Sequence, residues 1–402
     1  MNDSLPSATP EEAKASSTSV TTLSSGLVVV TEDAASTSTV SMTYPKGGSG
    51  SEDLGEQGAA LINKCLAFNS GSGLSTIMIN RTIENEGAMP FASADRFSAT
   101  VGYTVEPDSA VGLVPLLATD CTFEKWDVRD AKKLAAYQVA EANKSAQIVL
   151  TEQIFAAAYG PQSPMGRPFY SADASTYDIA SFRSKGYGLS GAILSATGIK
   201  DHAAFCTEVD EMLKESPVGT SAASPAAVYQ GGEARIAAPS AGYAHVALAF
   251  EASVSGAMRG VLKHCFSLSG AASGVTGFET PGLVGVYAGA PSEGVGAIDS
   301  AMTDAITAKI SAEIVSKAKT LAKADALFAM DCGSKGLAAA MTASVMESGS
   351  ASSATAVAEE YDSITAKDVS SALASLLKTN PSLAAVGDIT SLPYQGTFAS
   401  RL

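Results

Sequence analysis

Long apolar runs are missing from this chain. No stretch approaches the roughly 18 to 20 uninterrupted apolar residues that span a bilayer. Runs such as Leu27-Val28-Val29-Val30, or the one from His245 to Phe250, have the length of strands. Basic runs are missing too, and a formal charge of −15 opposes a polyanion or an anionic membrane surface as partner. Charged residues make up only 17% of the chain against 46% apolar, so little charge is left to cover a free surface. That balance points to an obligate subunit with part of its surface held against partners. Aromatic residues are scarce, with one tryptophan beside 36 glycines, which predicts cores of small side chains and close backbones that tolerate little added volume. The cysteines, Cys65, Cys121, Cys206, Cys265 and Cys332, are odd in number and lack CxxC spacing. This argues against a disulfide framework and predicts reduced, packed thiols in a non-secretory compartment. No GxSxG or reactive-cysteine context surrounds His202, His245 or His264, which argues against a hydrolase built on them. His202 and Cys206 stand one helical turn apart, but two ligands do not make a zinc site, and helix packing is expected of them.

What is present is a plan that occurs twice. A length of 402 residues favours two domains of about 200. The first half has paired strands at 26–32 and 39–44 and a late strand at 192–198; the second has 232–236, 244–250 and 383–388. The offset of roughly 190 to 205 residues is that of a duplicated domain. Between the halves, residues 214–227 combine prolines with small polar residues and read as an exposed connection. The expected division is an extension at 1–20, a first domain at 21–213, a linker at 214–227 and a second domain at 228–402. The extension is rich in Ser, Thr, Ala and Pro and lacks the Arg-rich amphipathic character of a transit peptide, so it reads as disordered or draped. In the first domain, 58–68 and 75–86 read as helices, 89–93 and 97–105 as strands, and 127–159 as two helices. The mixture predicts an α+β fold of two homologous domains, each a mostly antiparallel sheet with helices packed on one face.

Residues 58–68, Gly-Ala-Ala-Leu-Ile-Asn-Lys-Cys-Leu-Ala-Phe, follow a strand and a glycine-rich turn. With segments 81–87, 103–106, 123–128, 154–160, 164–168 and 228–235, in order and at fitting distances, this helix resembles the family of inverted zinc peptidases. That family includes the mitochondrial processing peptidase and the core proteins of the ubiquinol–cytochrome c reductase. In active members the helix carries His-x-x-Glu-His, with two imidazoles on zinc and the glutamate as general base. The resemblance puts Leu61 and Cys65 in the histidine places and Lys64 in the glutamate place. Leucine has no donor atom, and lysine at neutral pH has no lone pair with which to activate water. The family's remaining ligand falls within 137–141, at Glu141 or Gln138. The resemblance therefore implies no catalytic residue, no metal and no cofactor.

It further implies a non-catalytic structural core subunit of the mitochondrial cytochrome bc complex, complex III, peripheral to the inner membrane on its matrix side. The implied partners are a core protein 1 homologue and the cytochrome b, cytochrome c1 and Rieske subunits. The alternative within the family is the non-catalytic alpha subunit of the processing peptidase, which binds presequences. That subunit has a dense glycine-rich loop where this chain has only 267–277. The segment between there and Pro281 is shorter than the family pattern, which predicts the loss of a helix and a strand hairpin.

Overall fold

The structure, a computed structural model, describes residues 17–71, 73–118, 122–219, 227–308 and 310–402. β-Branched residues build the first strands, β1 (Thr18–Thr22), β2 (Val28–Glu32) and β3 (Ser38–Tyr44). Helices α1 (Ala59–Cys65) and α2 (Thr76–Asn85) precede the hairpin β4 (Met89–Ala94) and β5 (Ala99–Val105). Then come α3 (Lys125–Ala142), α4 (Ala146–Tyr159), α5 (Thr176–Gly186), β6 (Ile193–Ala196) and α6 (His202–Met212). The sheet runs β1-β2-β6-β3-β5-β4, and β2 with β6 is its one parallel pair.

The second half opens with β7 (Gly232–Ala237), β8 (Tyr243–Glu251), α7 (Gly256–Gly270), β9 (Val275–Thr280) and β10 (Leu283–Pro291). It continues through α8 (Ile298–Thr307), α9 (Ala312–Asp331), α10 (Gly333–Ser348) and α11 (Ala354–Ser363). It closes with α12 (Ala366–Leu376), β11 (Ser382–Gly387) and α13 (Gln395–Arg401). Its sheet runs β7-β11-β8-β10-β9, again with one parallel pair, β7 with β11. Without β1 the two sheets have the same strand order. Helices α5 and α12, which precede the late strand in each half, both open on a capping box, Ser175 with Asp178 and Thr365 with Asp368. The fold is α+β in two homologous domains.

Three local expectations are modified. Residues 267–277 are not a loop: they finish α7, turn, and begin β9. The hairpin β9–β10 is present, so the shortening falls on the helix alone, α2 having no counterpart between α7 and β9. Residues 1–16 of the expected extension and 220–226 of the expected linker lie outside the described residues, while Thr18–Val20 already belong to β1.

Each domain's own helices gather over one face of its sheet, around Met42, Tyr44, Leu61 and Phe182 in the first and Val246, Leu248, Cys265 and Phe266 in the second. The opposite faces are covered crosswise. Helix α4 of the first domain lies on the second sheet, where Leu150, Ile154, Phe155, Ala158 and Tyr159 meet Ala247, Ala249, Leu283, Ala384 and Val386. Its counterpart α10 lies on the first sheet, with Met341 and Val345 against Val30 and Ile193. That second contact is largely made of hydroxyls, with Ser195 to Thr342 at 2.6 Å and Thr39 to Ser334 at 2.8 Å. The hydroxyl face leaves a groove of about 570 Å³ beside α10, and a smaller one of about 330 Å³ lies between α4 and the second sheet.

Candidate functional site

The site is built on the short helix α1. Gly58 precedes it at φ 86°, and its α-carbon lies so close to the Ser171–Ala172 backbone that a side chain has no room. The Glu52 carboxylate caps the first turn, accepting the Ala60 N–H at 2.9 Å and the Gly58 N–H at 3.3 Å. Burial pushes the Glu52 carboxyl up to about 7, against the opposing pull of those two N–H groups and of Arg167. Asn63 ties α1 to α5 by donating to the Ala59 carbonyl at 2.9 Å and the Ile179 carbonyl at 3.3 Å.

These anchors bury Leu61 completely and leave Lys64 and Cys65 half-buried, facing α3. There Gln138 receives both: its Oε1 accepts from Lys64 Nζ at 3.2 Å, and its Nε2 donates to Cys65 Sγ at 3.6 Å. Glu141 is exposed and pairs with Lys144 at 2.6 Å. Of the two residues left open on this helix, the structure brings Gln138 to α1. Burial raises the Cys65 thiol, opposed by the Lys64 charge and the Gln138 hydrogen bond, so it stands as a neutral thiol at neutral pH.

These residues do not fit a zinc ion. Leu61 offers nothing, Lys64 brings a cation into contact with the one amide oxygen, and Cys65 alone is too few ligands. Among the described residues, no three His, Cys, Asp or Glu side chains are placed to hold a metal. The purified chain, incubated with zinc and desalted, is expected to retain no stoichiometric zinc by elemental analysis. One equivalent retained by the native chain and lost in Cys65→Ala would overturn this.

The histidines are engaged elsewhere. Both ring nitrogens of His202 meet threonine hydroxyls, Thr21 and Thr31, each at 2.8 Å, with Cys206 Sγ 3.5 Å from Nε2. The residue joins β1 and β2 to α6, and burial lowers its basicity. His245 meets the Tyr287 hydroxyl at 2.7 Å.

The duplication supplies a contact that sequence reasoning missed. In the second domain α7 takes the place of α1 and α9 that of α3. Lys263 and His264 on α7 meet Asp325 on α9 at 3.3 and 2.9 Å. Gln138 stands thirteen residues into α3 from Lys125, and Asp325 thirteen into α9 from Ala312. Aligning the two long helices from their first residues was the signal available for Asp325.

Residues 27–172 match the family model described as insulinase, peptidase family M16. That match lies within the first half of the chain. The chain is 25% identical to the mitochondrial-processing peptidase subunit alpha of Solanum tuberosum, covering 98% of this chain and 86% of that protein. It is also 25% identical to the mitochondrial-processing peptidase subunit alpha-2 of Dictyostelium discoideum, over 95% of this chain and 94% of that one. Among solved structures, a chain of complex III2 from Candida albicans, with Inz-5 bound, superposes at a TM-score of 0.80 and 18% identity. That match covers 95% of this chain and 99% of the other, so the two-domain fold is shared from end to end. Among the described residues, no helix is long and apolar enough to cross a membrane.

Proposed function

We propose that this chain is a non-catalytic structural subunit of the mitochondrial cytochrome bc complex, of the core protein 2 type. The observation that carries this reading is the end-to-end likeness to a chain of complex III, with neither chain leaving a domain unmatched. The polar contact among Lys64, Cys65 and Gln138 supports it, since an ammonium and a single neutral thiol provide neither a zinc ligand set nor a general base. In this reading residues 21–213 and 228–402 are the two family units, joined by 214–227. The chain pairs with a core protein 1 homologue on the matrix side of the inner membrane. Through that pair it reaches cytochrome b, cytochrome c1 and the Rieske subunit without a membrane span of its own.

The two curated relatives favour a second reading, the presequence-binding alpha subunit of the processing peptidase. A net charge of −15 suits a basic presequence. Against it stands the replacement of a glycine-rich loop by the end of α7 and the start of β9.

Native-gel separation of solubilised mitochondrial membranes, followed by mass spectrometry, decides between them. Co-migration with cytochrome b, cytochrome c1 and the Rieske protein is the expected result, with quinol oxidation unchanged in Cys65→Ala. A soluble pair with a zinc-bearing partner would replace the first reading by the second.

A further inference from the structure

The two sheets have the same strand order, yet their outer edges differ. In the first sheet the edge strand of the repeated unit, β2, is covered by β1, which pairs antiparallel from Thr18 with Glu32 to Thr22 with Val28. With that cover, four of the five β2 residues are buried. In the second sheet the equivalent strand, β7, stands at the end of the order, and among the described residues no strand pairs with its outer side. Of its residues Glu233, Ile236 and Ala237 are exposed and none is buried.

The exposed part of this edge is main chain. Glu233 is exposed as a residue although its side chain is only 22% accessible. Its carboxylate pairs with Arg235 and accepts the Gln395 N–H at 3.2 Å; the Arg235 guanidinium donates to the Leu392 carbonyl at 3.1 Å and to that of Pro393. These charges answer each other and the segment before α13, leaving none turned toward a newcomer. The direction of the backbone follows from the ladder. The Ala238 N–H donates to the Gly387 carbonyl at 2.8 Å, so even-numbered residues turn their N–H and C=O toward β11. Glu233, Arg235 and Ala237 therefore turn theirs outward.

Of the other edges, β4 carries Pro90, β9 lies against α7, and β1 is itself the strand that covers β2. Strand β7 has no proline and no lysine. We infer that the outer edge of β7 receives an antiparallel strand from another polypeptide of the assembly, as β2 receives β1. The partner segment is extended, about five or six residues long, and recognised through its backbone. Because the charges of Glu233 and Arg235 are already answered, it is uncharged and β-branched, of the chemistry of Thr18-Ser-Val-Thr-Thr22. Ile236, 38% exposed, offers it one apolar contact.

This inference rests on the chain being an assembly subunit, and hydrogen exchange at single-amide resolution tests it separately from that reading. The full chain alone is compared with the native complex from the gel that contains it, whatever that complex proves to be. In the chain alone, the amides of Glu233, Arg235 and Ala237 are expected to exchange fast while those of Ala234 and Ile236 are slow. In the complex the first three are expected to slow by about tenfold or more, the alternation that a newly added strand imposes. Three amides that stay fast in the complex would overturn the proposal even where the chain co-migrates with cytochrome b. So would three that are already slow in the chain alone, because a segment of this chain would then hold the edge. A complex lacking the cytochromes refutes the complex III reading and leaves the edge to be judged by its own amides.

Discussion

Replacing Glu152 by alanine is expected to cost about 3 to 5 kcal/mol of stability, the range for leaving one member of a buried ion pair alone. Glu152 on α4 meets Arg96 at 2.6 Å, with side-chain accessibilities of 11% and 6%. The same carboxylate accepts the Phe169 N–H at 2.8 Å, and the Arg96 guanidinium lies 4.3 Å from the centre of the Phe155 ring. Alanine would leave the Phe169 N–H without its acceptor and the guanidinium with only the Arg167 carbonyl at 3.5 Å. Phe155 belongs to the layer between α4 and the second sheet, so the damage reaches both domains and is expected within a single unfolding transition. Arg96→Met combined with Glu152→Leu removes both charges at similar volume and is expected to recover most of the loss. Urea unfolding of the two variants beside the unchanged chain measures this. A loss below about 1 kcal/mol in Glu152→Ala would mean that the pair behaves as an exposed one.

The repeated strand plan was legible because strand-length runs recur at a constant offset and the late one in each half ends at glycine, Gly198 and Gly387, features fixed by local chemistry. The choice between Gln138 and Glu141 was not legible. They lie three residues apart on one helix, and only the angle at which α3 crosses α1 decides which reaches Lys64. Strand β1 was missed because Thr18-Ser-Val-Thr-Thr22 has a single apolar residue. What makes it a strand is the edge of β2 and the hydrogen bond between Thr21 and His202, a residue far from it in sequence. The crosswise helices left a signal that went unread. Helix α4 is apolar nearly all round, with Ile148, Val149, Leu150, Ile154, Phe155 and Ala156 through Ala158, and a helix of that kind is held between two layers rather than on one.

The two halves are therefore expected to fail alone and to succeed together. Residues 1–219 produced alone carry α4 with no sheet beneath it, and residues 227–402 carry a sheet face whose Ala247, Ala249, Leu283, Ala384 and Val386 have lost their cover. Leu150, Ile154, Phe155 and Tyr159 each stand to lose about 1.5 to 3 kcal/mol of burial, which sums to the order of 10 kcal/mol. That equals the whole stability of a typical domain. Each half alone is expected in aggregates, and the two produced together as a one-to-one soluble complex by size-exclusion chromatography. A monomeric half that unfolds cooperatively would show that the crossing is dispensable. The halves should differ in kind as well. The first exposes a face of Thr39, Ser41, Thr43 and Ser195, hydroxyls that water can satisfy once α10 is gone. The second exposes alanine, leucine and valine, for which water is no substitute. Replacing Leu150 and Ile154 on α4 of the first half by glutamine should therefore make it the more soluble fragment, while no such change in the second half supplies the helix that its sheet lacks.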